Sequence, residues 1–345
     1  MEVFEVRGFE PLAREILTPA AYAYYAGGAF DERTLRENEA AFGRRVLRPR
    51  VLVDVSTIDL ATTLLGVPVA APIGLAPAAL QGLADPEGEV LAARAAGKAH
   101  CVYCLSTFSS RSLETVAAVG RGTRWFQLYV QRDRAKTRRL VDRAVAAGYR
   151  ALVVTVDLAV PGYRDRELRH PLEGAVTGSV GPLEGGAEFL EAIGAEVDPS
   201  LDWDGLAWIH SLTELPIVLK GILTGEDAAR AVDAGVAAIV VSNHGGRQLD
   251  RAPATIDALE EVVGAVAGRA EVYLDGGVRR GTDVATALAL GARACFVGRP
   301  YLFALAAAGE AGVARCLEIL SAELRVAMAL LGAPTVSALT RDRVR

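Results

Sequence analysis

The chain has 345 residues, of which 51% are hydrophobic, and its formal net charge is −5. This hydrophobic fraction is enough for a large core and excludes a disordered or fibrous chain. An acidic balance without a basic stripe argues against nucleic acid as a partner. No apolar run approaches the ~20 residues of a membrane span, and the N-terminus lacks the apolar core of a secretory signal. We therefore expect a soluble, cytoplasmic protein.

The chain begins with residues 1–70, which precede a regular pattern and contain a predicted helix at about 10–24. Eight short apolar runs follow, and their β-branched and aromatic content predicts strands. These runs lie near 71–75, 101–105, 125–129, 150–156, 216–220, 237–242, 271–275 and 293–297. Most are followed by an amphipathic segment of good helix formers, such as PEGEVLAARAA or DRAKTRRLVDRAVAA.

Eightfold alternation of strand and helix predicts an α/β fold, the (β/α)8 TIM barrel, with an N-terminal helical extension. An open, doubly wound sheet is the alternative, and the absence of an early GxGxxG disfavours it. We expect residues 1–345 to form a single domain. Residues 309–331 predict an amphipathic helix that closes the chain.

The longest interruption of the pattern runs from about residue 161 to 204 and is rich in Gly, Pro and charge. Long loops inside a compact domain are usually functional. This one follows the fourth predicted strand, which places it at the carboxyl-terminal rim where barrel enzymes work. We expect it to act as a lid over the site; a plain surface insertion is the alternative.

The four cysteines include a CxxC formed by Cys101 and Cys104, which His100 precedes. Such spacing occurs in metal and redox sites. Here the surrounding HCVYCLS indicates a buried strand without a second ligand pair, so buried core thiols are the favoured interpretation. No HExxH or comparable spacing occurs, and we predict no metal site.

Polar residues recur at the carboxyl ends of the predicted strands, where a core strand needs none. In a barrel these ends converge on one rim, so the side chains are expected to meet there. They are Ser106, Thr107, Gln127, Tyr129, Thr155, Asp157, Lys220, Ser242, Asn243, His244 and Asp275.

The last two predicted strands run into glycine-rich turns that each contain an arginine. Asp275 is followed by Gly276, Gly277 and Arg279, and the eighth strand is followed by Gly298 and Arg299. In barrels, a phosphate commonly lies between these two loops. Glycines let backbone N–H groups approach an anion, and arginines pair with phosphate oxygens. The turns therefore predict a phosphate site.

The string SNHGGRQLD is the most informative part of the chain. It contains His244, one of four histidines, in a position to act as a base near neutral pH. Asp157 is placed to orient and stabilise its imidazolium. Arg164 and Arg247 are suited to binding a carboxylate, and Lys220 to stabilising negative charge on a cofactor ring. The set indicates proton abstraction or hydride removal next to an anionic group.

The chain resembles the FMN-dependent 2-hydroxy-acid oxidase and dehydrogenase family, which includes glycolate oxidase, lactate oxidase and mandelate-oxidising enzymes. The resemblance covers nearly the whole chain and rests on specific strings. They are YYAGGAFDERTLREN, LRPRVLVDVS, APIGLAPAALQGLADPEGE, WFQLYV, TVD, LKGIL, SNHGGRQLD, LDGGVRRGTDV and VGRP.

The resemblance implies FMN as cofactor and oxidation of an (S)-2-hydroxy acid to a 2-oxo acid, with oxygen or another electron acceptor. It implies catalytic roles for His244, Asp157, Tyr129 and Tyr24. Substrate binding is implied for Tyr24, Tyr129, Arg164, Arg247 and Phe108. Flavin contacts are implied for Pro77, Ala78, Ala79, Ser106, Gln127, Thr155, Ser242 and Lys220, the last near flavin N1. Ribityl and phosphate contacts are implied for Asp275, Gly277, Arg279, Gly298 and Arg299. Relatives of this family usually assemble as tetramers or octamers, so a homo-oligomer is expected.

Three departures from the family pattern bear on the site. Phe108 stands where glycolate-specific members tend to carry Trp, and the region after Arg164 is short. Ala78 stands where Thr is common, which removes a possible flavin contact. Phe108 and the short region leave open a second interpretation, in which the substrate is an aryl or peptide-derived 2-hydroxy or 2-amino acid of a biosynthetic pathway. A third interpretation is a non-redox barrel, such as an isomerase, that binds a phosphorylated ligand.

Overall fold

A computed structural model of the chain describes residues 2–120, 122–172, 176–182 and 189–345. Eight parallel strands form a closed barrel in which each strand pairs with the next along the chain and the last pairs with the first. They are β1 (Ile73–Leu75), β2 (Tyr103–Leu105), β3 (Arg124–Leu128), β4 (Leu152–Thr155), β5 (Ile217–Ile222), β6 (Ala238–Val241), β7 (Glu271–Asp275) and β8 (Ala294–Val297). The predicted TIM barrel is therefore confirmed, each strand at the position of its predicted run.

The interior of the barrel is filled by side chains. Trp125, Tyr273 and Phe296 pack against one another with ring centroids 5.4–5.6 Å apart. Gly74 in β1 makes room for the ring of Phe296, which would lie 2.5 Å from a Cβ at that position. A short antiparallel hairpin, Thr62–Leu64 with Val67–Val69, packs into the same cluster.

Thirteen α-helices surround the barrel within the described residues, besides short 3-10 helices. They are α1 (Phe9–Ile16), α2 (Pro19–Ala26), α3 (Arg33–Ala40), α4 (Gly88–Lys98), α5 (Leu113–Ala117), α6 (Arg134–Ala146), α7 (Asp165–Arg169), α8 (Phe189–Glu196), α9 (Trp203–His210), α10 (Gly225–Asp233), α11 (Thr255–Val266), α12 (Gly281–Ala289) and α13 (Arg299–Leu330). The backbone of α13 is non-helical at Ala308 and Gly309, so its second half corresponds to the predicted closing helix. Among the residues described, no helix combines the length and apolarity that crossing a bilayer requires.

The single helix predicted at about 10–24 is wrong, because the structure has two helices there. Thr18 lies between α1 and α2, and its side-chain oxygen accepts a hydrogen bond from Ala21 N at 3.2 Å. Pro19 follows, and since proline has no N–H it begins a helix but cannot continue one. The second helix brings Tyr24 and Tyr25 to the cavity described below.

The segment after β4, predicted at 161–204 as a lid, contains α7, α8, the start of α9 and a two-residue antiparallel pair at 176–177 and 181–182. Its residues 173–175 and 183–188 lie outside the described part of the chain, so the lid remains a prediction. The helix α7 packs on α2, and this contact determines where its side chains meet the site.

Candidate active site

A cavity of about 1040 Å³, counting its open mouth, lies at the carboxyl ends of the barrel strands. All of the predicted site residues line it except Asp157, Gln127 and Ser242. The lining includes Tyr24, Pro77, Ala78, Ala79, Ser106, Phe108, Tyr129, Thr155, Arg164, Lys220, His244, Arg247, Asp275, Gly277, Arg279, Gly298 and Arg299. The remaining three contact residues of this lining, so the predicted rim comes together as one site.

The centre of the cavity holds a chain of three polar side chains. Asp157, just after β4, accepts a hydrogen bond from Nδ1 of His244 at 2.8 Å. The hydroxyl of Tyr129 lies 3.2 Å from the other ring nitrogen, Nε2. With the proton of the neutral ring donated to Asp157, the Nε2 lone pair faces Tyr129 and the cavity.

The charges around this chain set its protonation. Burial lowers the pKa of His244 below its ordinary value; Lys220 acts in the same direction and Asp157 opposes it. Burial pulls the pKa of Asp157 upward, but His244 and Lys220 outweigh it and hold that pKa below its usual range. At neutral pH the pair is therefore a neutral imidazole beside an ionised carboxylate.

A second polar group lies across β5, β6 and β7. The ammonium group of Lys220 donates to Ser242 Oγ at 2.8 Å and forms an ion pair with Asp275 at 3.3 Å. Burial acts to lower the pKa of Lys220, but Asp275 and Asp157 raise it above the ordinary value. Lys220 therefore remains a positive charge at the cavity floor.

The two arginines predicted to bind a carboxylate lie next to each other and are held by neighbours that the sequence does not single out. Arg164 Nε donates to the backbone oxygen of Arg247 at 3.0 Å, and its Nη2 donates to Gln248 Oε1 at 3.2 Å. The carboxylate of Glu167, in α7, contacts both guanidinium groups. Neither Glu167 nor Gln248 is among the predicted site residues, because an acid and an amide in charged loop segments look like solvated side chains.

The glycine-rich turns after β7 and β8 form the far end of the cavity. Gly276 and Gly277 have φ of 94° and 82°, which glycine adopts without strain. Arg279 pairs with Glu39 at 2.8 Å. Arg299 instead donates to three backbone oxygens, those of Tyr25, Gly27 and Gly245.

Arg299 has no acidic partner within the described residues. Burial, reinforced by the charges of Arg247 and Arg279, lowers the pKa of Arg299 to about 9. Glu39 and Glu10 act in the opposite direction but do not offset this. A desolvated cation without a salt-bridge partner is unfavourable, and a bound anion would relieve it. This end of the cavity is thus suited to a phosphate group, as the turns predict.

The side of the cavity above His244 is apolar. Phe108 is fully buried and stacks on Tyr129 with ring centroids 5.4 Å apart. Phe189, from α8, meets Phe108 and Tyr24 edge-on at 6.2 and 5.6 Å. Leu158 and Ile193 also line the cavity, although the sequence alone does not identify them.

The cysteines lie away from this chemistry. Cys101, Cys104, Cys295 and Cys316 are free and buried, and burial raises the pKa of Cys101 to about 12. In the described ranges, no three or more His, Cys, Asp or Glu side chains group so as to hold a metal ion.

The chain matches a known enzyme family, and this match identifies the enzyme class. Residues 13–345 match the model of the family described as FMN-dependent dehydrogenase. The chain belongs to this family. Membership of the FMN-dependent dehydrogenase family identifies the cofactor as FMN. It also confirms the predicted family and enzyme class. The non-redox barrel is accordingly ruled out.

Relatives within the FMN-dependent dehydrogenase family are similar over nearly their whole length. A peroxisomal (S)-2-hydroxy-acid oxidase from Oryza sativa subsp. japonica is 51% identical over 98% of this chain and 95% of its own. An L-lactate oxidase from Nostoc sp. is 51% identical over 94% of this chain and 93% of its own. A mandelate oxidase structure with (S)-4-hydroxymandelic acid superposes with a TM-score of 0.95 at 43% identity, covering 99% of this chain and 98% of that one.

The polar atoms of the cavity fit FMN. Among the described residues, Gln127 Nε2, Thr155 Oγ1 and Asp275 Oδ1 are buried without a hydrogen-bond partner. Buried polar atoms are rarely left unpaired, so a ligand with donors and acceptors is expected to contact them. The ring edge and ribityl hydroxyls of FMN carry such groups, and its phosphate would meet the desolvated Arg299.

Proposed function

We propose that this chain oxidises (S)-2-hydroxy acids to 2-oxo acids, with FMN as redox cofactor and oxygen as electron acceptor. Relatives named as oxidases of (S)-2-hydroxy acids, L-lactate and mandelate support this substrate class and acceptor. One observation carries the proposal: a neutral histidine backed by a carboxylate lines the same cavity as two guanidinium groups.

His244 is the base in this proposal. Its Nε2 takes the proton of the substrate hydroxyl or α-carbon, while Nδ1–H stays on Asp157. Asp157 stabilises the imidazolium that results, and Tyr129, at 3.2 Å from Nε2, contacts the substrate hydroxyl. Because the pKa of His244 lies below its ordinary value, the ring is neutral and able to accept a proton at neutral pH.

The other residues bind and orient. Arg164 and Arg247 hold the substrate carboxylate, with Tyr24 beside Arg247, whose guanidinium lies 4.8 Å from the Tyr24 ring centre. FMN, when bound, would supply a two-electron acceptor that oxygen can reoxidise. Lys220 would contribute a fixed positive charge to the flavin site, and the turns with Arg279 and Arg299 would hold the phosphate.

A second candidate substrate is an aryl or peptide-derived 2-hydroxy or 2-amino acid. The apolar side of the cavity favours an aryl group, since Phe108, Leu158 and Ile193 line it and Phe189 packs behind Phe108. Aromatic rings pack well against such surfaces in edge-on or offset geometry.

The test is an anaerobic visible-absorbance titration of the purified flavoprotein with glycolate, (S)-lactate, (S)-mandelate and a longer 2-hydroxy acid. We expect at least one acid to bleach the flavin band, and admission of air to restore it. Preference for mandelate over lactate would favour the aryl candidate. A flavin band that none of these acids bleaches would contradict the proposal for simple hydroxy acids.

The role of His244 as base is tested with the variant His244→Asn. His244 has a φ of 59°, and Asn tolerates this left-handed conformation better than Ala does. We expect the variant to retain FMN while its rate of reduction by substrate falls at least about 100-fold, the contribution typical of a general base. A rate near that of the wild type would rule out His244 as the base.

A further inference from the structure

The carboxylate of Glu167 occupies a position between the two arginines that the proposed function assigns to the substrate. Its Oε1 accepts a hydrogen bond from Arg247 Nη2 at 2.8 Å. Both of its oxygens lie 3.4 Å from Arg164 Nη1. The side chain is only 6% exposed, so these contacts are made out of bulk water and are weakly screened.

Arg164 is buried and the Arg247 side chain is 14% exposed, and two guanidinium groups so far removed from water repel each other unless an anion lies between them. Burial and the charge of Arg247 lower the pKa of Arg164, whereas Glu167 raises it. Glu167 is thus the resident counter-charge of the pair. Within the described part of the chain, no other carboxylate pairs with either arginine, so without Glu167 the substrate carboxylate would have to hold the two groups together.

The contacts of Glu167 also determine which N–H groups are left for a ligand. Arg247 Nη1 donates to the backbone oxygens of Tyr24 and Gly27, and one Nη2–H goes to Glu167. Of the five N–H donors of an arginine, Nε–H and one Nη2–H of Arg247 therefore have no partner in the described part of the chain. These two donors are available to a substrate carboxylate, which accepts charge-assisted hydrogen bonds of this kind.

The position of Glu167 is fixed by its helix. Helix α7 packs on α2, whereas the ion pair of neighbouring Arg166 with Glu32 at 2.6 Å involves an arginine that is 44% exposed and contributes little. Gln248 donates to the backbone oxygens of Asp157 and Val160 at 2.9 Å each and accepts from Gly162 N at 3.0 Å. The loop that carries Arg164 is thereby held against the loop that carries Arg247.

We propose that Glu167 is a positioning residue for substrate recognition: it holds Arg164 and Arg247 together and leaves two N–H donors of Arg247 for the substrate carboxylate. This inference rests on the proposed function, because it assumes that the arginine pair binds that carboxylate. It assigns to the segment after β4 a part in carboxylate recognition.

The test compares an acid with its neutral amide in the FMN-loaded enzyme. We would measure kcat and KM for (S)-lactate and (S)-mandelate, and the rate of anaerobic flavin reduction by lactamide and mandelamide. Glu167→Gln keeps the size of the side chain and one acceptor oxygen but removes the charge. We expect KM for the acids to rise about tenfold, as for loss of a charge-assisted hydrogen bond, with kcat and the amide rates changed less than about twofold.

Two further variants separate positioning from folding. Glu167→Asp keeps the charge and is expected to recover part of the lost affinity, which keeps the test informative if the Gln variant folds poorly. Glu32→Gln is the matched control: it removes the same charge from a residue that pairs with the same helix through Arg166 but contacts neither substrate arginine, and the packing of α7 on α2 remains. We expect its ratio of acid to amide reactivity to equal that of the wild type.

Several results would overturn the inference. Equal losses for acid and amide, or the same change in Glu32→Gln, would indicate a merely structural role. Tighter binding of the acids by Glu167→Gln would show that Glu167 competes with the substrate for the arginines. An unchanged KM would show that Glu167 neither positions the arginines nor competes with the substrate. If no acid reduces the wild-type enzyme, the proposed function itself fails, which is distinguishable because the wild type is then inactive.

Discussion

His244 holds a backbone conformation that few non-glycine residues adopt. Its φ is 59°, and Gly245 and Gly246 follow with φ of 63° and 73°. A left-handed conformation costs a non-glycine residue about 1–2 kcal/mol, so the surroundings must impose it. His244 N donates to Ser242 Oγ at 3.1 Å, and Gly246 N donates to Asn243 Oδ1 at 3.1 Å. The strained turn directs the imidazole toward Asp157 and Tyr129, where the proposed chemistry needs it.

Asp157→Asn is expected to lower kcat/KM and to displace the acidic limb of its pH profile. The amide no longer fixes the proton on Nδ1 or stabilises the imidazolium, so kcat/KM at neutral pH should fall about 100-fold. Asp157 also raises the pKa of His244, so its removal should lower that pKa further. Because the base must be unprotonated, the acidic limb of log kcat/KM against pH should move to lower pH.

The measurement is kcat/KM for one acid from pH 4.5 to 9 in the wild type and the variant. A limb that moves to higher pH would contradict the assignment of this limb to His244. A fall in kcat/KM without any displacement would mean that Asp157 orients the ring but does not tune its pKa.

At the scale of elements, the phosphate end of the cavity depends on how helix α3 packs against the turn after β7. Asn38 and Asn243 exchange two side-chain hydrogen bonds at 2.7 and 2.8 Å. This brings the backbone oxygen of Asn38 so close to Gly277 that a Cβ there would lie 1.9 Å away. Gly298, in the turn after β8, has no atom within 4 Å of such a Cβ.

Alanine at these two glycines is therefore expected to have different effects. Gly277→Ala has to adopt φ near 82° and displace α3, so we expect the apoprotein to lose at least about 2 kcal/mol of unfolding free energy. Gly298→Ala should leave the apoprotein as stable as the wild type but weaken FMN binding, because its methyl group enters the cavity. Urea unfolding of the apoproteins and FMN titration measure the two quantities, and a stable Gly277→Ala apoprotein would contradict the packing argument.

The elements differ in how well the sequence predicts them. Buried parallel strands are continuous apolar runs, so all barrel strands are predictable, and the polar residues at their ends follow from the fold. The break at Thr18 and Pro19 is missed although it has a helix-start signature, since the apolar pattern continues across it. Glu167 is not predictable, because its role depends on the packing of α7 on α2, which no local pattern encodes.

At the scale of the whole molecule, the cavity gathers side chains from nearly every strand end and from the N-terminal helices, so a ligand there bridges distant parts of the chain. A ligand that binds only the folded state stabilises it by about 2.7 kcal/mol at a concentration 100 times its Kd. FMN should therefore raise the Tm of the apoprotein in a concentration-dependent way, and riboflavin, which lacks the phosphate, should do so less.

The size of that difference tests the assignment of the phosphate end. Each charge-assisted hydrogen bond contributes about 1.5–3 kcal/mol, so FMN should bind at least about 100-fold more tightly than riboflavin, by titration calorimetry or the shift in Tm. Arg279→Gln should remove much of this advantage and leave riboflavin binding unchanged. Arg280→Gln is the control, since Arg280 pairs with Glu5 and Glu323 and does not line the cavity. If FMN and riboflavin stabilised the wild type equally, the two turns would not hold the phosphate, and the lowered pKa of Arg299 would need another explanation.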